Sequence, residues 1–515
     1  MAADPKNPPH IHVAIAGSGF GGLGTAIRLA QSGFKDFLVF ERSSDVGGVW
    51  RDNTYPGCAC DVESHLYSFS FARNPEWTRS FSPSHEIHAY LRACAEKFGV
   101  LPRIRFEHEI RSAAWDDDAQ RWRLETSKGP FTADVLVAAV GALSDPSIPK
   151  LPGLETFAGK AFHSARWDHD HDLADKRVAV IGTGASAIQF VPHIQPKVAA
   201  LNVFQRTPPW IVPRGDHALG ARQRRVLRSS NAAQWLKRAS IYALRELMAV
   251  SFFDTRVAKV TQGLARMHLA RSVRDPVLRA KLTPKYTMGC KRILLSDDYL
   301  PALAKENVEV VTDAITEIRP EGVVTSDGKL HAVDTIIFGT GFQVQRYAFA
   351  ERVRGRNGQL LSETWKDRMT AHLGTTVAGY PNFFVLQGPN TGLGHTSVIT
   401  MIESQIEHIV NALRYVRARG LATVEPRAEA QEAFVAEVDK GLEGTVWNTG
   451  GCKSWYLDAK GHNSTLWHGF TFTFKRRVEP FDPSDYVVMA RRKNQGAAAE
   501  KKPKNGRARV EAVHG

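Results

Sequence analysis

The sequence predicts an α/β protein built from two nested Rossmann-like dinucleotide-binding domains with a helical insertion. Three observations carry that prediction. A strand, glycine turn, helix and second strand follow one another near the amino terminus; the same unit recurs from Arg177; and an Arg-, Leu- and Ala-rich stretch between Trp210 and Lys291 lacks strand alternation.

In the first copy an apolar run, His12 to Ala16, enters Gly17-Ser18-Gly19-Phe20-Gly21-Gly22. A helix is expected from about Leu23, then the strand Phe37 to Phe40, ending at Glu41. The second copy repeats this with Arg177 to Ile181, Gly182-Thr183-Gly184-Ala185-Ser186-Ala187, a helix, and a strand Leu201 to Gln205 ending at Arg206. A single G-x-G-x-x-G is weak, but each copy sits between strand and helix and closes with a second strand of fitting length. The first glycine (Gly17, Gly182) makes the tight turn and the second (Gly19, Gly184) admits a pyrophosphate. The third position, Gly22 in the first copy, lets helix and strand pack.

The copies differ at the end of the second strand. Glu41 can accept hydrogen bonds from ribose hydroxyls, whereas Arg206 offers donors to a 2′-phosphate. The first site is therefore expected to hold FAD and the second NADPH, with Thr207 and Lys291 as further phosphate contacts. Two more strand-then-glycine segments, Asp134 to Gly141 and Asp334 to Phe342, look like crossing points between the domains. The expected division is 1–145 with 345–490 for FAD and 146–344 for NADPH, with a helical subdomain at about 210–290. The arginines of that subdomain are read as a solvated face.

A chain of 515 residues with 43% hydrophobic content has room for such a layout. The formal charge of +14 is concentrated at the end: residues 491–515 hold eight Lys or Arg against two Glu, without hydrophobic periodicity. This tail is expected to be disordered, and no nucleic-acid partner is expected. Met1 to Pro9 has no apolar segment of a secretory signal, which points to the cytoplasm. Ser240 to Phe253 is interrupted by Arg245 and Glu246 and is too short to span a bilayer; membrane association through Ile241 to Phe253 has no support in the sequence, because that stretch reads as easily as a buried helix. Five cysteines without C-x-x-C spacing read as reduced thiols and exclude a flavin-linked disulfide reductase. No metal is expected.

Two longer segments narrow the chemistry. Phe157-x-Gly159-x-x-x-His163-x-x-x-Trp167 resembles the F-x-G-x-x-x-H-x-x-x-W fingerprint of Baeyer–Villiger monooxygenases, with Asp168 where the commonest form has proline. Gly47-Gly48-Val49-Trp50, Tyr55-Pro56-Gly57 and Asp61 are similar to that family's segment folding over the flavin, so Gly48 and Trp50 join the candidate cofactor contacts. Lys291-Arg292, Gly388-Pro389-Asn390-Thr391 and Ser454-Trp455 extend the resemblance over roughly residues 10–480.

The resemblance implies oxygen insertion from dioxygen beside a ketone carbonyl, through a flavin peroxide, giving an ester or lactone. It also implies roles. Arg292 would be the permanent cation facing negative charge, and Asp61 the carboxylate that orients it. His163 would couple domain rotation to NADP binding. Trp455 would either gate the nicotinamide or substrate or fill an interface, and Asn390 and Thr391 would touch the flavin edge, cap a helix, or both. N- or S-oxygenation by a related flavin-containing monooxygenase is the first alternative. A nucleotide-binding redox sensor using its basic tail is the second.

Overall fold

The computed structural model describes residues 7–253 and 255–492. The strand His10–Ala16 runs parallel between Phe37–Phe40 and Gly129–Ala138, with Val13 opposite Val135 and Ala16 opposite Ala138. Val13, Ala14 and Ile15 are fully buried, which is why the strand reads as an unbroken apolar run.

Gly129–Ala138 is long enough to have two partners on one side. Its first half pairs antiparallel with Arg121–Thr126, and its second half pairs parallel with Phe383–Val385, Phe383 opposite Leu136. Val353–Arg354 joins the same sheet beside Ile110–Asp116. This sheet therefore draws strands from both sides of the second glycine motif.

The second sheet is wholly parallel, in the order Val308–Val311, Ala200–Phe204, Arg177–Ile181, Thr335–Phe338, Lys160–His163. The chain enters and leaves this unit side by side: Pro146 and Phe342 form a β-bridge, and the Ser147 amide donates to the Gly341 carbonyl at 2.9 Å.

Helix α1, Phe20–Gln31, follows the first glycine turn, and α2, Ala187–Ile194, the second. The start of α1 lies three residues before Leu23 because Gly21 and Gly22 form its first turn. The insertion holds α3, Asn231–Met248, and α4, Thr255–Ser272, with shorter helices around them. A long helix, α5 (Val398–Ala418), covers the first sheet: Ile399, Ile402, Ile406, Ile409 and Leu413 share one face and one core cluster with Leu23 and Ile27 of α1. Each such buried side chain contributes about 1.5–3 kcal/mol.

Three expectations change. Most arginines of the insertion are solvated as expected, Arg222, Arg225, Arg228, Arg266 and Arg271 among them, but the insertion does not sit as one body beside the second unit. Leu269 of α4 and Val273, just past its end, join the second unit's core with Val178 and Ile188. By contrast, Arg238 of α3 donates to the carbonyls of His65 (3.2 Å), Leu66 (2.9 Å) and Ser68 (3.0 Å), and Arg245 pairs with Glu63 at 2.9 Å. An arginine's five donors are satisfied by free carbonyls at a turn, a demand that composition does not reveal.

The cysteines are not all reduced. Cys290 and Cys452 form a disulfide, whereas Cys58, Cys60 and Cys94 are free and buried. The basic tail begins with Arg491 and Arg492 tied to Asp134 and Asp118, each at 3.3 Å; its remainder, 493–515, lies outside the described residues. Among the described residues no helix is long and apolar enough to cross a membrane.

Candidate active site

Gly17 leaves the first strand at φ +96°, its amide donating to the Phe40 carbonyl at 2.8 Å. A Cβ there would lie 2.7 Å from the Ala139 oxygen, and one on Gly22 would lie 1.8 Å from the Gly17 oxygen. Protein packing alone demands both glycines. Gly19 is different, because a Cβ on it would find nothing nearer than the Gly48 Cα at 3.8 Å. Bare backbone at a helix amino terminus, facing an open cleft, is what an approaching pyrophosphate requires.

The cleft encloses about 1390 Å³ including its open mouth. Glu41, buried on its wall, accepts from the Ser18 amide (3.0 Å), the Ser18 hydroxyl (2.6 Å) and the Ser43 amide (2.9 Å). Gly47 and Gly48, at φ +121° and +55°, turn the chain so that Trp50 lines the opposite wall, its indole N–H donating to the Tyr67 hydroxyl at 3.2 Å. Open backbone, a fixed carboxylate and this volume fit FAD.

The second motif repeats the geometry. Gly182, at φ +104°, could not carry a Cβ, which would meet the Gly339 oxygen at 2.5 Å; Gly184 could, its nearest neighbour being that oxygen at 3.7 Å. Ala187 takes the third position, buried against Gly339. Past the strand end, Arg206 is exposed and Thr207 half-buried, and the chain returns to place Lys291 beside them. Burial, then the Arg206 charge, lower the Lys291 ammonium pKa, and Lys291 lies over the Tyr286 ring at 5.2 Å. Neither cation is paired with a carboxylate among the described residues. Two adjacent cations without counter-charge fit the 2′-phosphate of NADPH.

Residues far apart in sequence converge between these sites. The Arg292 guanidinium donates from Nε and Nη2 to Oδ2 of Asp61, at 2.8 and 2.6 Å. Both side chains are half-buried. Burial alone would raise the Asp61 carboxyl; the Arg292 charge and hydrogen bonds, with the charge of Arg245, outweigh it and hold the carboxyl below its usual range. Asp61 in turn drives Arg292 upward against its own burial. Tyr456 packs beside the pair, its phenol pushed up to about 12 by burial. The result is a permanent cation with Nη1 free of protein partners among the described residues.

Residues 10–361 match the model of the flavin-binding monooxygenase-like family. A Baeyer–Villiger monooxygenase of Streptomyces coelicolor is 51% identical over 492 residues, 95% of each chain. One from Pseudomonas aeruginosa is 50% identical, covering 94% of this chain and 92% of the relative. The chain belongs to the Baeyer–Villiger monooxygenase family. Among solved structures, a steroid monooxygenase bound to NADP aligns with TM-score 0.81 at 30% identity, covering 93% of this chain and all of the other. A cyclohexanone monooxygenase from Rhodococcus bound to NADP+ aligns at 0.84 and 28%, covering 94% and 100%.

The family fingerprint lies at the junction of the two units and outside the flavin cleft. Phe157 packs in the second unit, and a Cβ on Gly159 would meet the Asp334 oxygen at 2.3 Å. His163 ends the edge strand opposite Phe338; its Nδ1 accepts from the Ala165 amide at 3.1 Å, and burial lowers its pKa, so the ring is neutral. Trp167 packs against Phe162 and Phe190, 5.3 Å from each ring. Asp168, the departure from the usual pattern, pairs with exposed Lys160 at 2.7 Å.

Three other candidates take unexpected places. Asn390 and Thr391 cap no helix: Ser397 caps α5, accepting from the Ile399 amide. The Asn390 amide donates to the Asn463 and Leu466 carbonyls (2.8 and 3.1 Å), and the Thr391 hydroxyl to Gly388 (2.7 Å), so these side chains brace a loop. Trp455 is 41% exposed and fills no interface among the described residues. Sequence reasoning missed Tyr67, Tyr456 and Gln189. The Gln189 side chain on α2 receives the Tyr55 hydroxyl (2.9 Å) and donates to the Ala59 carbonyl (2.9 Å), clamping the segment before Asp61 to the second unit. Its only sequence signal is position on the first turn of α2.

Proposed function

We propose that this chain is an FAD- and NADPH-dependent Baeyer–Villiger monooxygenase that converts ketones to esters or lactones with one atom of dioxygen. FAD is held by segments 1–145 and 345–490, and NADPH by 146–344. The observation that carries the reading is the Asp61–Arg292 pair, a fixed cation where the segment following Gly48 and Trp50 meets the segment that carries the 2′-phosphate contact Lys291.

When bound, FAD reduced by NADPH supplies the oxygen-activating chemistry. The protein's part is electrostatic. Arg292 cannot release its proton at any working pH, and Asp61 fixes its plane through two bonds to one oxygen, so the remaining N–H groups meet negative charge growing on the substrate oxygen. Arg206, Thr207 and Lys291 bind the 2′-phosphate, and Glu41 the adenosine ribose of FAD. Gly48 and Trp50 wall the flavin cleft. The backbone at Asn390 and Thr391 approaches the ring edge, and Trp455 gates the open side. His163 and Trp167 transmit nucleotide binding across the junction.

The test follows NADPH oxidation in air with cyclic, linear and aryl ketones and one thioether, identifying products by mass after labelling the dioxygen. An ester or lactone with one labelled oxygen is expected. Sulfoxide without ester, or hydrogen peroxide alone, overturns the reading.

A further inference from the structure

The helical insertion carries a face that ketone oxidation does not use. Along α3 the solvent side presents Trp235, Leu236, Leu244, Leu247 and Met248, exposed by 58, 60, 56, 69 and 47%. Three of the four charged residues of that helix reach into the protein: Arg238 onto the turn at His65–Ser68, Arg245 onto Glu63, and Glu246, buried, onto the Thr471 amide at 3.2 Å. Ile241 is buried in the first unit's core and Tyr242 packs against it, yet the other large apolar side chains of the helix face outward.

Helix α4 continues the theme. Val257, Val260, Leu264 and Met267 are exposed by 38, 72, 56 and 42% and follow a helical spacing that sets them in one stripe. Exposed Lys259 and Arg266 flank the stripe about a third of a turn away, Arg266 with its guanidinium 5.9 Å from the Trp210 ring. Residues 221–271 hold eleven Lys or Arg against two acids, Glu246 and Asp254, and Glu246 faces inward.

An apolar stripe of this extent calls for a cover, and charge selects it. A second copy would set these cations against their like, whereas an anionic surface with an apolar interior satisfies stripes and cations together. We propose that α3 and α4 seat the protein on an anionic phospholipid surface. The helices lie in the interface plane, apolar stripes at the acyl boundary and Lys259 and Arg266 at phosphate level. No crossing helix is needed.

The test is co-sedimentation of the full-length, flavin-loaded enzyme with mixed phosphatidylcholine–phosphatidylglycerol vesicles and with phosphatidylcholine vesicles alone. Binding is expected to the mixed vesicles and to be at least about tenfold weaker to the neutral ones. Leu247→Glu with Leu264→Glu should weaken it at least about tenfold while flavin absorbance and ketone oxidation persist. Should that variant not fold, Lys259→Glu with Arg266→Glu should give a loss of similar size. The basic tail is present throughout; binding lost in high salt but indifferent to both variants means that the tail alone holds the vesicle and overturns the proposal. So does absence of binding, or a dimer in sedimentation velocity that the leucine variant dissociates.

Discussion

The proposed function rests its chemistry on one side chain, Arg292, whose replacement should separate two half-reactions. Arg292→Ala should leave anaerobic flavin bleaching by NADPH largely intact while ester formation falls at least about a hundredfold, the scale of losing a preorganised charge donor. Stopped-flow absorbance and product analysis check it, and parallel loss of both would remove Arg292 from the oxygenation step. Arg206 is proposed to serve the other half-reaction. Arg206→Ala should raise KM for NADPH about tenfold or more and leave KM for NADH nearly unchanged; steady-state kinetics with both nucleotides decides, and equal changes would refute the 2′-phosphate contact. Glu41 and Gly22 were legible because their contacts lie within their own motif, Glu41 with Ser18 and Ser43 and Gly22 against Gly17. Asn390 was not, since its partners Asn463 and Leu466 are distant in sequence. The same distance hid the Cys290–Cys452 disulfide, which no C-x-x-C spacing announces.

Strands and helices tell a parallel story. Both glycine units fold as their apolar runs require, since each strand is buried on both faces and can be nothing else. The orientation of α3 could not be read from its composition. Its arginines suit water in isolation, and only carbonyls left free at the His65–Ser68 turn draw Arg238 inward. Arg238→Ala should therefore destabilise the protein by about 2–4 kcal/mol, because several acceptors lose one charged donor. A lowered denaturation midpoint at constant m-value would show it, and an unchanged midpoint would mean that water replaces the guanidinium without loss.

At the scale of the whole molecule, three buried histidines among the described residues stand well below the usual imidazole range. His65, His372 and His408 are each lowered to about 4, chiefly by burial. His408 also bonds the Val478 carbonyl and the Tyr486 hydroxyl, both at 2.8 Å. Because these folded-state values lie below the unfolded value of about 6.5, the unfolded chain binds more protons between the two. Stability should be full above pH 6.5 and fall as the pH drops towards 4, with a slope that His408→Phe reduces; thermal unfolding in this window measures it. A flat profile would show that burial does not keep these rings neutral.

The nesting of the two sheets also sets an order in time. Every strand of the wholly parallel sheet lies between Lys160 and Val311 or at Thr335–Phe338, so its last member leaves the ribosome before Phe383–Val385 exists to pair with Leu136–Ala138. The inner sheet can close during synthesis, while the outer one waits with an unfilled edge. A nascent chain arrested once Phe342 has cleared the ribosome, but before Phe383–Val385 has, should thus already protect the inner sheet from protease, with the flavin cradle still open beside it.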